Sequence, residues 1–356
     1  MRCKTLQYFW SSYNRFKMKL KSRPAYIIFF VLLFIAFILE ITQGAQKIQL
    51  YSILMQGDSF AKTIIWNLRL PRALLVLLTG ILLGASGAVF QLFFRNPLAE
   101  PGILGITSGA TLGAVFATAF LPAVTTISFF QNSFISTVTK YFSPVNLFAF
   151  VGAIVAGIVV TAFSFTQKKQ NTSIIILLCG TALGTLYSSL SSLILLTKSQ
   201  TLHSIYSWIL GSFNGRGWNE LFFLLIPSFI SLLLIFFISK PLDLLGGGET
   251  NAQSLGVQIS TLRIQVLIIG ALSTSCVVCA GGTINFLGLI APHIARKIVG
   301  PKSHKLIPFS MILSATILLL ADILCRIIVR PSELPTGIIT SIIGVPFFIA
   351  LCFEEK

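Results

Sequence analysis

The sequence contains few charged residues, and acidic residues are especially scarce. Asp, Glu, Lys and Arg make up 10% of its 356 residues, with only 10 acidic residues against 26 basic ones. Because a soluble domain carries about 25% charged residues, this composition excludes a globular protein surrounded by water. Long apolar runs are present instead, and a membrane-spanning helix needs about 20 mainly apolar residues. Such runs occupy 25–39, 147–165, 221–238 and 306–320.

Motifs for nucleotide binding and catalysis are also missing. The sequence has no G-x-x-x-x-G-K-S/T loop, so we do not expect this chain to bind ATP. Its three histidines, His203, His293 and His304, are dispersed. Cys276 and Cys279 form a C-x-x-C without a second pair, and we interpret them as small apolar residues. No catalytic residue, metal site or bound cofactor is therefore predicted.

The basic residues are concentrated at the N-terminus. Seven Lys or Arg residues lie in the first 23 positions, directly before the first apolar run. This placement is typical of a cytoplasmic flank that holds one end of a helix inside the cell, so a nucleic-acid partner is not expected. A cleaved signal peptide is the alternative, but the basic stretch is long and no small-residue cleavage site follows Leu39.

Ten apolar segments are interpreted as membrane spans, which predicts an all-α integral membrane protein. An even number of spans places both termini on one side, and the bias of basic residues places that side in the cytoplasm. The transmembrane domain then covers 25–353, between a basic segment at 1–24 and a cytoplasmic tail at 354–356. The spans are 25–41, 64–90, 103–121, 147–165, 173–196, 221–239, 264–279, 286–299, 306–328 and 336–353.

A short internal similarity indicates an inverted repeat. The segment 70–80 begins one long span, and the related segment 262–270 begins another. Five spans separate the two starts, so the two halves would run in opposite directions across the membrane. Inverted repeats of this kind often enclose a transport path near the membrane midplane.

One inner segment, 240–262, is unusually polar. We expect two short helices in it, around a break at Gly246, Gly247 and Gly248, with Glu249 opening the second. Negative charge is favoured at a helix N-terminus. The segment is either a simple connection or a docking surface for a cytoplasmic partner.

Three blocks of the sequence carry a family resemblance. The first combines R-L-P-R at 69–72 with R-N-P-L-A-E-P-G-I-L-G-I-T-S-G at 95–109; the second is G-L-I-A-P-H-I-A-R at 288–296; the third begins at Glu333. In their order and spacing they resemble the iron–siderophore and vitamin B12 family of ABC importer permeases, of the FecCD and BtuC type. The resemblance runs from about Ile64 to Phe353. It implies the ten-helix fold of type II importer permeases and a location in a bacterial cytoplasmic membrane.

The resemblance also implies partners. These are a second permease subunit, identical or different, two cytoplasmic ATP-binding subunits that use ATP and Mg²⁺, and an external or lipid-anchored substrate-binding protein. The segment 240–262 matches the family's coupling helices, which contact the ATP-binding subunits. The matching residues are Gly248, Glu249, Ala252, Leu255 and Gly256.

Three arginines match family positions that dock the binding protein. Arg69, Arg72 and Arg326 are predicted at the outer ends of their spans, and Arg pairs well with carboxylates in two-point contacts. The alternative is that these side chains extend to lipid phosphates.

Four residues match the family's cytoplasmic gate: Asn96, Leu98, Thr172 and Ser173. Turn formation and helix capping are the alternative roles for them.

Two further residues stand out within apolar runs. Asp322 is either part of a proton or cation relay or an ion-pair partner of Arg326, four residues away on the same helix. His293 is interpreted as structural, with haem ligation as the alternative. The resemblance implies import of an iron chelate, either a ferric siderophore or haem; cobalamin or molybdate import, or a secondary transporter driven by an ion gradient, are the alternatives.

Overall fold

The computed structural model describes residues 22–44, 59–124, 144–166, 172–197, 208–330 and 332–354. All regular structure in these ranges is helical. The α-helices are α1 (Ser22–Thr42), α2 (Ser59–Ile64), α3 (Leu70–Phe94), α4 (Ile106–Val124), α5 (Pro144–Thr166), α6 (Thr172–Thr197), α7 (Trp218–Leu245), α8 (Glu249–Ser254), α9 (Ile259–Gly281), α10 (Leu287–Val299), α11 (Ser303–Ile328) and α12 (Thr336–Glu354).

The prediction of an all-α membrane protein is confirmed. Every predicted span coincides with a helix, and seven helices in the described ranges are long and apolar enough to cross a membrane. Of the others, α4 and α12 carry shorter apolar stretches, and α10 has 13 residues. The basic segment at 1–21 and the last two residues lie outside the described residues.

Three helices form the centre of the bundle. Most of α3, α9 and α11 is buried, whereas only a small part of α1 and α6 is. Glycines on α3 allow this close packing: a Cβ atom at Gly84 would overlap the backbone of Ser310 on α11, and one at Gly87 would overlap the backbone of Gly288 on α10. Small residues at such crossings let membrane helices approach closely.

The helices define two ends of the bundle. We call the end where α3 begins and α11 finishes the arginine end, because Arg69, Arg72 and Arg326 lie there. The opposite end, where α3 finishes, is the coupling end and carries α8. Helix α9 begins beside α8, so it runs opposite to α3, as the predicted repeat requires.

The segment 240–262 differs from the expectation in one respect. Its first part is not a separate short helix but the last turns of α7, which continues through Pro241 to Leu245. The chain breaks at 246–248 as expected, and α8 opens with Glu249. The residues expected to form the first short helix continue α7 instead, because Leu242 and Leu245 are buried and extend the packed face of α7.

The spans at 64–90 and 103–121 also begin irregularly. A π-helical turn (Ile65–Arg69) joins α2 to α3, and a 3₁₀ turn (Pro101–Leu104) precedes α4. Gly105 lies between that turn and α4 with a φ of 73°, a conformation that favours glycine. Backbone of this kind at membrane depth is tolerated where protein or a water-filled cavity surrounds it.

Candidate functional site

The arginine end contains a buried cluster of ion pairs. Arg72 donates from Nε and Nη2 to the two carboxylate oxygens of Asp322, at 2.9 and 3.1 Å. Its Nη1 donates to Oε2 of Glu333 at 2.7 Å. The Thr336 hydroxyl donates to Asp322 at 2.7 Å, and Nε of Arg326 lies 3.4 Å from the same carboxylate. The contact between Arg326 and Asp322 is the i, i+4 ion pair that the sequence offered as one of two roles for Asp322.

Helix α1 is tied to the same cluster. Arg326 pairs with the carboxylate of Glu40 and donates to the backbone carbonyls of Glu40 and Gln43 at 3.1 and 3.2 Å. Arg69 donates to the carbonyls of Ile41 and Thr42 at 3.0 and 2.8 Å, at the end of α1. We call these residues the arginine cluster: Glu40, Arg69, Arg72, Asp322, Arg326, Glu333 and Thr336.

The arginine cluster brings three arginines together with three acidic side chains. Glu40 and Asp322 are fully buried, and the three arginines are at most 8% exposed. Buried charges must be paired, because an isolated charge in an apolar environment costs far more than a paired one. The cluster therefore joins the ends of α1, α3, α11 and α12.

The docking role of Arg69, Arg72 and Arg326 stays a prediction. The structure brings the three residues together at one end, as the prediction requires, but it also pairs them with groups of this chain. Carboxylates of a docking protein would meet Arg72 and Arg326 already paired with acids, and Arg69 bonded to backbone carbonyls at the end of α1. Only Glu333 among those partners is appreciably exposed, at 21% of its side chain.

The coupling end contains a second set of polar contacts. Nη2 of Arg95, just after α3, lies 3.2 Å from Oε1 of Glu249, the first residue of α8. The Asp243 carboxylate accepts from the backbone N–H of Ser303 at 2.6 Å and from its hydroxyl at 2.8 Å. It thereby caps the N-terminus of α11 and holds the last turns of α7 in place.

The predicted coupling residues form a compact unit. Ala252 is fully buried, and Leu255 exposes 65% of its surface. Gly248 and Gly256 flank α8 with φ angles of 107° and 87°. An exposed leucine on a short polar helix is suited to a protein contact, and the coupling role stays a prediction.

The predicted gate residues lie at the same end. The Asn96 side chain accepts from the backbone N–H of Leu98 at 2.9 Å, which is the turn chemistry considered as the alternative. Thr172 and Ser173 open α6; their side chains lie outside the described part. The gate role of all four residues stays a prediction.

Glu100 follows the gate turn and lies beside Gly288 near the start of α10. Burial of its carboxyl group raises the pKa of Glu100 to about 7. A carboxylic acid at this position is therefore partly protonated near neutral pH.

Helix α6 carries a face of exposed hydroxyl groups. Thr181, Thr185, Ser188 and Ser192 are all exposed, and at about 100° per residue they fall within about 60° of one another on the helix. The Ser188 hydroxyl lies 3.3 Å from that of Ser108 on α4. The other edge of α6 packs through Gly180 and Gly184 against the start of α4. We call these four residues the hydroxyl face.

His293 and the two C-x-x-C cysteines have structural surroundings. The ring of His293 meets that of Phe347 edge to face, with centroids 5.9 Å apart. Cys276 and Cys279 are buried, and the thiol of Cys279 donates to the carbonyl of Asn146 at 3.0 Å. Within the described ranges, no group of three or more His, Cys, Asp or Glu residues could hold a metal ion.

Sequence reasoning missed several residues of these sites. Glu333 lies in the loop before α12 and begins the third family block, and Thr336 is the first residue of α12. Nothing in the sequence indicates that these two side chains join the ion pairs of Asp322 and Arg72. Glu40 offered a signal, because an acid in an apolar run needs a cation from elsewhere in the fold. The partner of Arg95 could not be identified, since Glu249 lies 154 residues further along the chain.

Comparisons with known proteins point to one family. The sequence model of the FecCD transport family matches residues 32–354. The iron(3+)-hydroxamate import system permease protein FhuG of Bacillus subtilis is 34% identical over 356 residues, covering 95% of this chain and 100% of that protein. The molybdate import system permease protein MolB of Haemophilus influenzae is 32% identical over 321 residues and covers 89% of both chains.

A solved structure shares the fold. It shows a metal-chelate type ABC transporter in an inward-facing conformation and superposes on this chain with a TM-score of 0.78 at 30% sequence identity. The alignment covers 92% of this chain and 98% of the other.

Proposed function

The chain belongs to the FecCD transport family and is a permease of the metal-chelate type of ABC importer, and we propose that it carries a ferric chelate, either a siderophore complex or haem. Permease FhuG, named for iron(3+)-hydroxamate import, supports this choice because its similarity extends over its whole length. Permease MolB, named for molybdate, supports the alternative of an oxyanion cargo.

The hydroxyl face of α6 is the observation on which the proposed transport path depends. Three of the four hydroxyls donate to carbonyls of α6 itself. Their grouping on one side suits a surface beside a water-filled path better than a surface that faces only lipid. The face is exposed in the single chain. It would therefore line a path shared with a second permease subunit, identical or different.

The two ends suggest the remaining partners. We propose that the coupling end faces the cytoplasm, together with both termini, and contacts two ATP-binding subunits through α8. Those subunits would use ATP and Mg²⁺, while this chain binds no cofactor. The arginine end would then face outward and receive a substrate-binding protein.

The charges within the spans argue against a transporter driven by an ion gradient. Such a transporter needs an acid that can gain and lose a coupling ion. Asp322 and Glu40 are the fully buried acids of the described helices, and both are paired with arginines. Glu100, whose carboxyl group has a pKa raised to about 7, lies between α3 and α4 at the coupling end, outside the predicted spans. No acid within the described helices is therefore both buried and free to carry a coupling ion.

Affinity purification and uptake assays together test the proposal. The tagged chain is expected to co-purify with an ATP-binding subunit, and cells producing the system should accumulate ⁵⁵Fe-labelled hydroxamate complexes or haem. Labelled cobalamin and molybdate serve as competing cargoes in the same cells. Uptake of cobalamin or molybdate alone would contradict the ferric-chelate assignment, while co-purification of the ATP-binding subunit would still support the importer. Uptake that continues after the ATP-binding subunit is inactivated would overturn the importer itself.

A further inference from the structure

Arg95 and Glu249 link two segments that have separate proposed roles. Arg95 ends α3 and directly precedes the predicted gate residues Asn96 and Leu98. Glu249 begins the coupling helix α8. Their side chains are 3.2 Å apart and almost half exposed, at 46% and 43%. The pair therefore connects the proposed gate to the helix proposed to contact the ATP-binding subunits.

The gate side of this link is a rigid turn. Arg95 has a φ of 50°, in the left-handed region that a residue with a Cβ rarely adopts. The turn is closed by the Asn96 side chain, which accepts from Leu98 N–H at 2.9 Å, and by Ala99 N–H, which donates to the Asn96 carbonyl at 3.2 Å. A displacement of Arg95 would consequently move Asn96 and Leu98 with it.

The coupling side is a small rigid body joined to α7 through a glycine. Helix α8 is closed at its far end by a hydrogen bond of 3.0 Å from Val257 N–H to the Ala252 carbonyl, and Gly256 lies inside that closed turn. Gly248, between α7 and α8, has a φ of 107°, and a Cβ atom there would meet nothing within 4 Å. Glycine at such a position allows backbone rotation that another residue would resist. Helix α8 can therefore turn about Gly248 as a unit while α7 remains anchored through Asp243 and Ser303.

We infer that the Arg95–Glu249 ion pair passes the movement of α8 to the gate turn, so that both are positioning residues for transport. This inference rests on the proposed importer function. An exposed ion pair contributes little to stability, so its loss should leave the fold intact. The pair can change the balance between two gate positions by no more than about fivefold, which is the scale that an exposed pair supplies.

Charge reversal and charge exchange test the link in the intact complex. The variants are Arg95→Glu, Glu249→Arg and the double exchange, each combined with Leu98→Cys as a reporter. The readout is the rate at which a membrane-impermeant maleimide labels Cys at position 98 in inside-out vesicles, with and without ATP and vanadate. Parallel vesicles that retain Leu98 give the background from native thiols. Lys302→Glu, an exposed reversal at the same end, is the matched control.

The nucleotide-dependent change in labelling should fall about three- to fivefold in each single variant. The double exchange should restore it to within about twofold of the unreversed protein, and Lys302→Glu should leave it unchanged. Single variants that keep the full change, or a double exchange that fails to restore it while the ATP-binding subunit still co-purifies, would overturn the link alone. Failure of the unreversed protein to co-purify with an ATP-binding subunit would overturn the proposed function and the link with it.

Discussion

Substitution of Asp322 by Asn is expected to destabilise the protein strongly, although the two side chains have nearly the same shape. The change removes one negative charge from the arginine cluster. Of the two Arg72 hydrogen bonds to the carboxylate, at 2.9 and 3.1 Å, only one can persist to the amide oxygen, and the amide NH2 group replaces the other acceptor. Arg326 loses the ion pair at 3.4 Å. Removal of one partner from a buried ion pair costs about 3–5 kcal/mol, and the free energy of unfolding should fall by about that amount.

The double variant Asp322→Asn with Arg326→Met tests whether the cost of Asp322→Asn arises from its ion pairs. It removes both members of the ion pair at 3.4 Å, which each single variant also breaks, so it should be less destabilised than the sum of its single variants. Thr316→Val is the matched control, because this buried residue on α11 bonds only through its hydroxyl to the Ile312 carbonyl at 2.8 Å in the contacts described. Its cost should be about 1 kcal/mol.

Unfolding in mixed micelles with increasing SDS provides the assay. A thiol-reactive dye reports the unfolding, because Cys276, Cys279 and Cys325 are buried in the folded protein and react once they are exposed. An Asp322→Asn variant within about 1 kcal/mol of the unsubstituted protein would refute the reasoning, as would strict additivity in the double variant. Either result would mean that the arginines find new partners or water once the carboxylate is gone.

Three other predictions concern the coupling end, the hydroxyl face and the helix packing. Burial raises the pKa of Glu100 to about 7 from its usual value near 4.5, so between these pH values the folded protein holds a proton that the unfolded protein releases. The free energy of unfolding should therefore fall as the pH rises from about 5 to 7 and stay constant above about pH 7. Glu100→Gln should flatten this pH dependence in the micelle assay. The double variant Thr185→Leu and Ser188→Leu should reduce uptake several-fold with unchanged stability, because it makes part of the path apolar. Gly87→Ala should cost about 1–3 kcal/mol, because the added methyl group meets the backbone of Gly288.

Each of these three predictions has a result that would contradict it, and two of them have a matched control variant. An unchanged pH slope in Glu100→Gln would show that this carboxyl group is not the source of the dependence. Leu193→Ala, on the exposed apolar side of α6, should leave uptake intact, and equal losses in both α6 variants would contradict a path at the hydroxyl face. Gly102→Ala, where the nearest atom would lie 3.6 Å from the new Cβ atom, should be tolerated; a similar cost at both glycines would contradict the close packing of α3 on α10.

Much of the fold could be predicted from the sequence because lipid imposes simple requirements. A helix that crosses a membrane pairs its backbone N–H and C=O groups within itself and needs an apolar surface. Runs such as 147–165 therefore identify α5 without any tertiary information. The boundaries were less predictable. Helix α7 continues to Leu245 because its last turns pack on neighbouring helices, and hydropathy alone does not register such packing.

The sites were predictable only in part, because their contacts join residues far apart in the sequence. Spacing identified the pair of Asp322 and Arg326, four residues apart on one helix. Spacing could not identify Arg72 as the main partner of Asp322, since 250 residues separate them. The hydroxyl face of α6 was readable in principle from helical periodicity, but its exposure depends on how α4 and α5 pack around that helix.

The most direct test of the account is transport into proteoliposomes that contain the purified complex of this chain with its ATP-binding and substrate-binding partners. Labelled ferric chelate should accumulate when ATP is present on the side of the coupling end and the loaded binding protein on the side of the arginine end. The purified chain alone should neither hydrolyse ATP nor accumulate the chelate. Accumulation by the chain alone under an imposed proton or sodium gradient would contradict the account.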